Sequence, residues 1–134
     1  MLKTGCINPE IMKVLSGCGH GDQILIADGN YPLQTKSGDA HKVYLGLRKD
    51  LPGVTDVLRT LCEHIVIEDA TVMVPARGPE PEIFLEFRTV TGLELTECSR
   101  WEFYEKACEP SVRLAIATGE SRTFANIILT VGVA

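Results

Sequence analysis

Aromatic side chains are scarce in this chain of 134 residues: four phenylalanines, three tyrosines and one tryptophan make up 6% of it. Its core must therefore be mainly aliphatic, and the 45% of hydrophobic residues is enough to build one. Positive charge is also in deficit, with 13 Lys and Arg against 18 Asp and Glu, a net charge of -5 and no tract of like charges. That balance argues against a general nucleic-acid binder, which needs a basic face. Long apolar runs are absent, and none approaches the roughly 20 residues of a membrane span. No apolar run follows Met1-Leu2-Lys3-Thr4, so a signal peptide is not expected and the reading is of a soluble, cytoplasmic protein with no membrane partner.

Metal ligands are missing in any useful pattern. The three histidines, His20, His41 and His64, are scattered, and none pairs with another at one-turn spacing. Five cysteines, Cys6, Cys18, Cys62, Cys98 and Cys108, are odd in number and widely spaced. They form no zinc or redox pair and read as free thiols in a reducing compartment. No glycine-rich phosphate loop is present either. Gly17-Cys18-Gly19-His20-Gly21 precedes a strand-like run instead of following one, the wrong order for dinucleotide binding. No metal and no cofactor are expected. The length suits one domain over residues 1–134.

What is present reads as alternating helices and strands. Asn8-Pro9-Glu10 has the chemistry of a helix start, a cap followed by proline and an acid at the positive end of the dipole. Gly17 and Gly19 end that helix, and Gln23 to Ala27 is the first strand. Residues 33 to 50 are polar and read as a loop with a short strand at Val43–Leu45. Pro52 to Glu63 is helical. His64–Glu68 and Thr71–Val74 are strand-like, Glu82–Val90 is a helix, and Leu93–Thr96 is a strand. Ser99 and Glu102 have capping-box spacing ahead of a helix that stops before Pro110. Val112–Ala117 and Asn126–Val133 are the last strands. The order predicts an α/β fold with a mixed or mostly parallel sheet packed by helices. Ile24-Leu25-Ile26 is apolar at successive positions, as a sheet covered on both faces requires.

Chemistry concentrates around that first strand. His20 lies between Gly19 and Gly21, which allow unusual backbone angles and close approach, and imidazole moves protons near neutral pH. A histidine that merely caps a helix end is the alternative. Asp22 orients the ring or caps a turn. Asp28, just past the strand, holds a hydroxyl or starts the Gly29-Asn30 turn, and Tyr31 walls the same pocket or packs on the surface. Arg100 and Tyr104 share a helix face and together suit a sugar's oxygen atoms. Glu120 and Asn126 complete the polar candidates, with turn formation and capping as their alternatives. Ser121-Arg122-Thr123 offers no serine-triad context.

Four blocks resemble the ribose pyranase and fucose mutarotase family. They are Met1–Thr4 with Ile7–Glu10; Gly19-His20-Gly21-Asp22-Gln23-Ile24 with Ala27-Asp28; Arg100-Trp101-Glu102-Phe103-Tyr104-Glu105; and Thr118-Gly119-Glu120 with Ala125–Leu129 and Gly132-Val133. Residues 33 to 97 match poorly. The resemblance implies a small α/β subunit that assembles into a ring, commonly a decamer of two pentamers, with pockets at subunit borders. It implies exchange of the anomers of a free monosaccharide without metal or cofactor. His20 falls on the catalytic histidine, Asp28, Arg100 and Asn126 on sugar-contacting positions, and Tyr104 on a pocket-lining one. Arg100 stands where the ribose branch usually has histidine, which leans toward L-fucose. Phe124 stands where the family usually has tyrosine; its ring can stack on a sugar, but the phenol hydroxyl is gone. A non-catalytic sugar-binding protein and a purely structural ring former are the competing readings. The enzymatic reading expects His20 and Asp28 to converge on one cavity.

Overall fold

The computed structural model describes residues 1–134. At its centre lies β1 (Gln23–Ala27), buried from Ile24 to Ala27. Side chains alternate between the faces of a strand. Ile24 and Ile26 join one apolar cluster with α1 (Pro9–Ser16), α2 (Val54–Cys62) and α3 (Ile83–Thr91). Leu25 and Ala27 join a second cluster with Phe103 and Ala107 of α4 (Arg100–Ala107) and with Tyr31, Leu33 and Ala40. The sheet is thus covered on both faces, which is why β1 has no polar side.

The remaining strands are β2 (His41–Tyr44), β3 (Ile67–Met73), β4 (Thr96–Cys98), β5 (Val112–Ala117) and β6 (Ile127–Val131). They form one six-stranded sheet in the order β2-β5-β1-β6-β3-β4. β1 pairs in parallel with β5 and antiparallel with β6, and β6 is antiparallel to β3 as well. β2 is parallel to β5 and β4 to β3. Five strands therefore point one way and β6 alone runs against them, a mixed, mostly parallel sheet as the sequence predicts. None of the helices is long and apolar enough to cross a membrane.

Local chemistry sets the helix starts. Asn8 Oδ1 accepts from Ile11 N at 3.0 Å with Pro9 at the first position, and Ser99 Oγ accepts from Glu102 N at 3.2 Å. α2 has no capping side chain at Gly53; Glu120 Oε2, from a distant part of the chain, accepts from Val54 N at 3.1 Å instead.

Some boundaries differ from the sequence reading. In place of the runs expected at His64–Glu68 and Thr71–Val74 there is one strand, β3, from Ile67 to Met73, because the polar Asp69 between them is satisfied within the sheet by the hydroxyls of Thr71 (2.8 Å) and Thr96 (2.6 Å). His64 lies in the turn after α2, its Nδ1 facing Thr60 O at 2.8 Å. Leu93 and Leu95 pack against the core without pairing, so β4 starts only at Thr96. β2 begins earlier than expected, at His41. The expected polar loop that precedes it contains the buried Leu33, Ser37 and Ala40.

A candidate active site at the carboxyl edge of the sheet

Because β1 and β3 point one way and β6 the other, the ends of β1 and β3 and the start of β6 share one edge. Asp28, Met73 and Asn126 meet there, and β4 leads into α4, which brings Arg100 and Tyr104. Ligands of open α/β sheets bind beyond the carboxyl ends of the strands. With Asn30, Tyr31, Thr123 and Phe124 these residues line a cavity of about 220 Å³, the scale of one small polar molecule. A cavity of equal volume beside Cys6, Ile11 and Leu61 has mostly apolar walls, with Asp56 and Thr60 among its few polar lining residues.

Asp28 and Asn126 form the floor, both buried. Asn126 Oδ1 accepts from Asp28 N at 2.8 Å, and its Nδ2 donates to Asp28 Oδ2 at 3.0 Å. This reciprocal pair fixes the amide orientation, since a flipped amide would set donor against donor. Asp28 Oδ1 accepts from Asn30 N at 2.9 Å and Oδ2 from Ala125 N at 3.3 Å. Burial pushes the Asp28 carboxyl up, and these donors pull it back without cancelling the effect. Each carboxylate oxygen has two lone-pair sites, so Oδ1 retains capacity for a ligand hydroxyl.

The mouth of the cavity is aromatic and cationic. Arg100 Nε donates to the Tyr104 hydroxyl at 3.2 Å. Its guanidinium lies 4.8 Å from the Trp101 ring centre and 5.6 Å from that of Tyr104, close enough for cation–π attraction. Tyr31 meets Tyr104 edge-on at 5.5 Å. Its hydroxyl donates to Lys36 O at 2.7 Å, and burial pushes its ionisation far up. Tyr31 is thus a neutral wall and not a proton acceptor. Phe124 takes a left-handed backbone conformation, φ +58°, rare for a residue with a large side chain.

Three predicted residues lie elsewhere. His20 stands at the opposite end of β1, which at about 3.4 Å per residue spans roughly 17 Å. Its Nε2 is 3.0 Å from both carboxylate oxygens of Glu68, and 59% of its side chain is exposed. Within one chain His20 and Asp28 do not converge, because a straight strand separates its own ends. Asp22 caps the turn, its Oδ2 accepting from Gly19 N at 2.8 Å, and Gly21 takes the φ of +88° that the turn requires. Glu68, not Asp22, holds the imidazole. Glu120 is buried under the start of α2, bound to Val54 and Arg122, and does not line the cavity. Sequence reasoning passed over Met73, Thr123 and Glu68. Met73 reads as core, and its place at the end of a strand beside β6 shows only once the sheet order is known.

Comparison with known proteins gives the family and matches the fold. The family described as the RbsD / FucU transport protein family matches residues 1–134. The chain belongs to it. A D-ribose pyranase of Staphylococcus haemolyticus is 37% identical over 133 residues, covering 99% of this chain and 98% of the relative. One of Coprothermobacter proteolyticus is 32% identical over 136 residues, with the same coverages. Among solved structures, Bacillus subtilis RbsD complexed with D-ribose is 28% identical, with TM-score 0.87 over 100% of this chain and 99% of the other. The fucose mutarotase of Streptococcus pneumoniae in complex with L-fucose is 26% identical, with TM-score 0.83 and the same coverages. Family membership extends to residues 33 to 97, whose motifs carry little of the resemblance: that stretch supplies β2, α2, β3 and α3 of the shared fold.

Proposed function

We propose that this protein is an isomerase that interconverts the anomers of a free aldose by acid–base ring opening and closing, with L-fucose or a related sugar as substrate. The observation that carries the reading is the buried Asp28–Asn126 pair at the floor of a small cavity rimmed by Arg100 and Tyr104. Ring opening takes a proton from the anomeric hydroxyl and gives one to the ring oxygen. Positioned acid–base groups typically accelerate such steps by about 10²–10⁴.

His20 is the proton-transfer group in this proposal. Since β1 separates it from the cavity of its own chain, it serves the site of a neighbouring copy in a ring-shaped homo-oligomer, a decamer of two pentamers in the cytoplasm. Glu68, 3.0 Å away, orients its ring. Asp28 Oδ1 accepts a sugar hydroxyl, Arg100 and Tyr104 hold further oxygens, and the Phe124 ring packs on a sugar face. The opened aldehyde rotates about its C1–C2 bond before the ring recloses on the other face.

Ribose is the second substrate to test, because the relatives described above include D-ribose pyranases and a complex with D-ribose. NMR saturation transfer between anomers of L-fucose, D-ribose and other free aldoses decides among them. Exchange above the spontaneous rate is expected, and His20→Ala should abolish it while leaving much of the sugar binding. A sugar that raises the melting temperature with no gain in exchange would instead identify a non-catalytic binding protein.

A further inference from the structure

The segment between Glu120 and Asn126 is fixed at both ends. On the far side, Ala125 N and Asn126 Nδ2 donate to Asp28. On the near side, Arg122 lies between two carboxylates. Its Nε donates to Glu120 Oε1 at 2.8 Å, its Nη1 to Glu86 Oε2 at 2.5 Å, and its Nη2 reaches both at 3.4 Å. Glu120 is buried and Glu86 is also tied to the Thr55 hydroxyl at 2.9 Å, so the guanidinium fastens the segment to α2 and α3 together. Ser121 N adds a hydrogen bond to Asp50 Oδ1 at 2.8 Å. Between the two anchors is Phe124, with φ +58°. Backbone conformations of this kind persist only where the surroundings over-determine them.

We propose that Arg122 is a positioning residue for the site: by bridging Glu120 and Glu86 it keeps the segment in the one path that presents Phe124 and Asn126 to the cavity. Arg122 does not line that cavity, so it acts through its neighbours. The planar fork of arginine is required, because two carboxylates, Glu86 on α3 and Glu120 in the loop after β5, must be engaged at once and a lysine offers only a single point charge. The role as stated for catalysis rests on the mutarotase reading above.

The test combines kinetics with NMR on the full chain. Arg122→Ala should raise KM for the sugar about tenfold with kcat nearly unchanged, the mark of lost binding common to ground and transition states. Phe124→Ala should show the same split, and the double variant should raise KM by less than the product of the two single effects, since Arg122 acts in part through Phe124. Arg122→Lys should not restore KM. If removing Arg122 leaves buried Glu120 uncompensated and the variant fails to fold, Glu86→Gln takes its place; it loosens one arm and should raise KM severalfold. In each folded variant that keeps Phe124, its backbone amide signal and the side-chain amide signal of Asn126 should shift in a ¹H–¹⁵N spectrum. Unmoved signals and an unchanged KM overturn the proposal, as does an additive double variant. A wild-type protein that exchanges no aldose overturns the mutarotase reading alone, and the NMR signals then still decide whether Arg122 sets the segment.

Discussion

Two side chains that read as ordinary turn residues in the sequence make the floor of the cavity. Asp28 before a glycine is a common turn pair, and nothing local separates that role from ligand binding. The distinguishing fact is its partner Asn126, 98 residues away and bonded to it in both directions, which no short motif exposes; the family resemblance marked both. Phe124 is different, because the departure from the family's usual tyrosine is visible in the sequence while its backbone conformation is not. The tyrosine has the same Cβ and ring, so Phe124→Tyr leaves φ undisturbed and adds one hydroxyl at the cavity. If that hydroxyl helps fix the anomeric oxygen, one hydrogen bond to a developing charge is worth about 1.5 kcal/mol or more, which corresponds to about tenfold in rate. Saturation-transfer rates for the variant should rise by that order, and an unchanged rate would remove the hydroxyl from the mechanism.

Helices and strands were legible where a local rule governs them. Asn8-Pro9 and Ser99 fixed two helix starts because capping is a short-range effect. The single strand β3 in place of two β-rich runs, and the capping of α2 by Glu120, depend on partners across the sheet and could not be read locally. The same non-local link makes a prediction about pH. Arg122 beside Glu86 holds that carboxyl below the usual carboxylate range, with Thr55 assisting. A lowered folded-state pKa contributes stability above the group's unfolded value, which is lost as pH falls through the folded one. Glu86 is 40% exposed, so solvent screening limits the effect to about 1 kcal/mol or less. Glu86→Gln should therefore melt lower than wild type at neutral pH, and the two melting curves should converge as the solution is acidified below the carboxylate range. A constant gap at all pH values would mean that the contact is one of shape and not of charge. Asp28 acts in the opposite sense: burial raises its pKa, so its ionisation lowers stability as pH rises through its folded value.

The largest gap between sequence and structure concerns assembly. The strand-flanked spacing of His20 and Asp28 suggests one shared pocket, yet a strand is straight and holds its two ends at opposite edges of the sheet. The exposed His20, with Glu68 3.0 Å from its ring, and the Asp28 cavity therefore lie at opposite edges of one subunit, and the proposed mechanism makes them two half-sites. If neighbouring copies join such halves head to tail, each site takes its histidine from one chain and its floor from another, an arrangement that a closed ring satisfies for every subunit. Two inactive variants should then complement each other. His20→Ala retains an intact floor, and Asn126→Ala retains an intact histidine. Mixed one to one with free exchange of subunits, they bring an intact floor from the first to an intact histidine from the second at about one site in four, by the statistics of a head-to-tail contact. Anomer exchange should return to about that fraction of the wild-type rate after the mixture is dissociated and reassembled, and stay near zero when the two are mixed without subunit exchange. A reassembled mixture with no activity, from variants each shown to be folded and to co-assemble, would mean that His20 does not serve a neighbour's cavity and that the proton must be moved by a group already at the Asp28 edge.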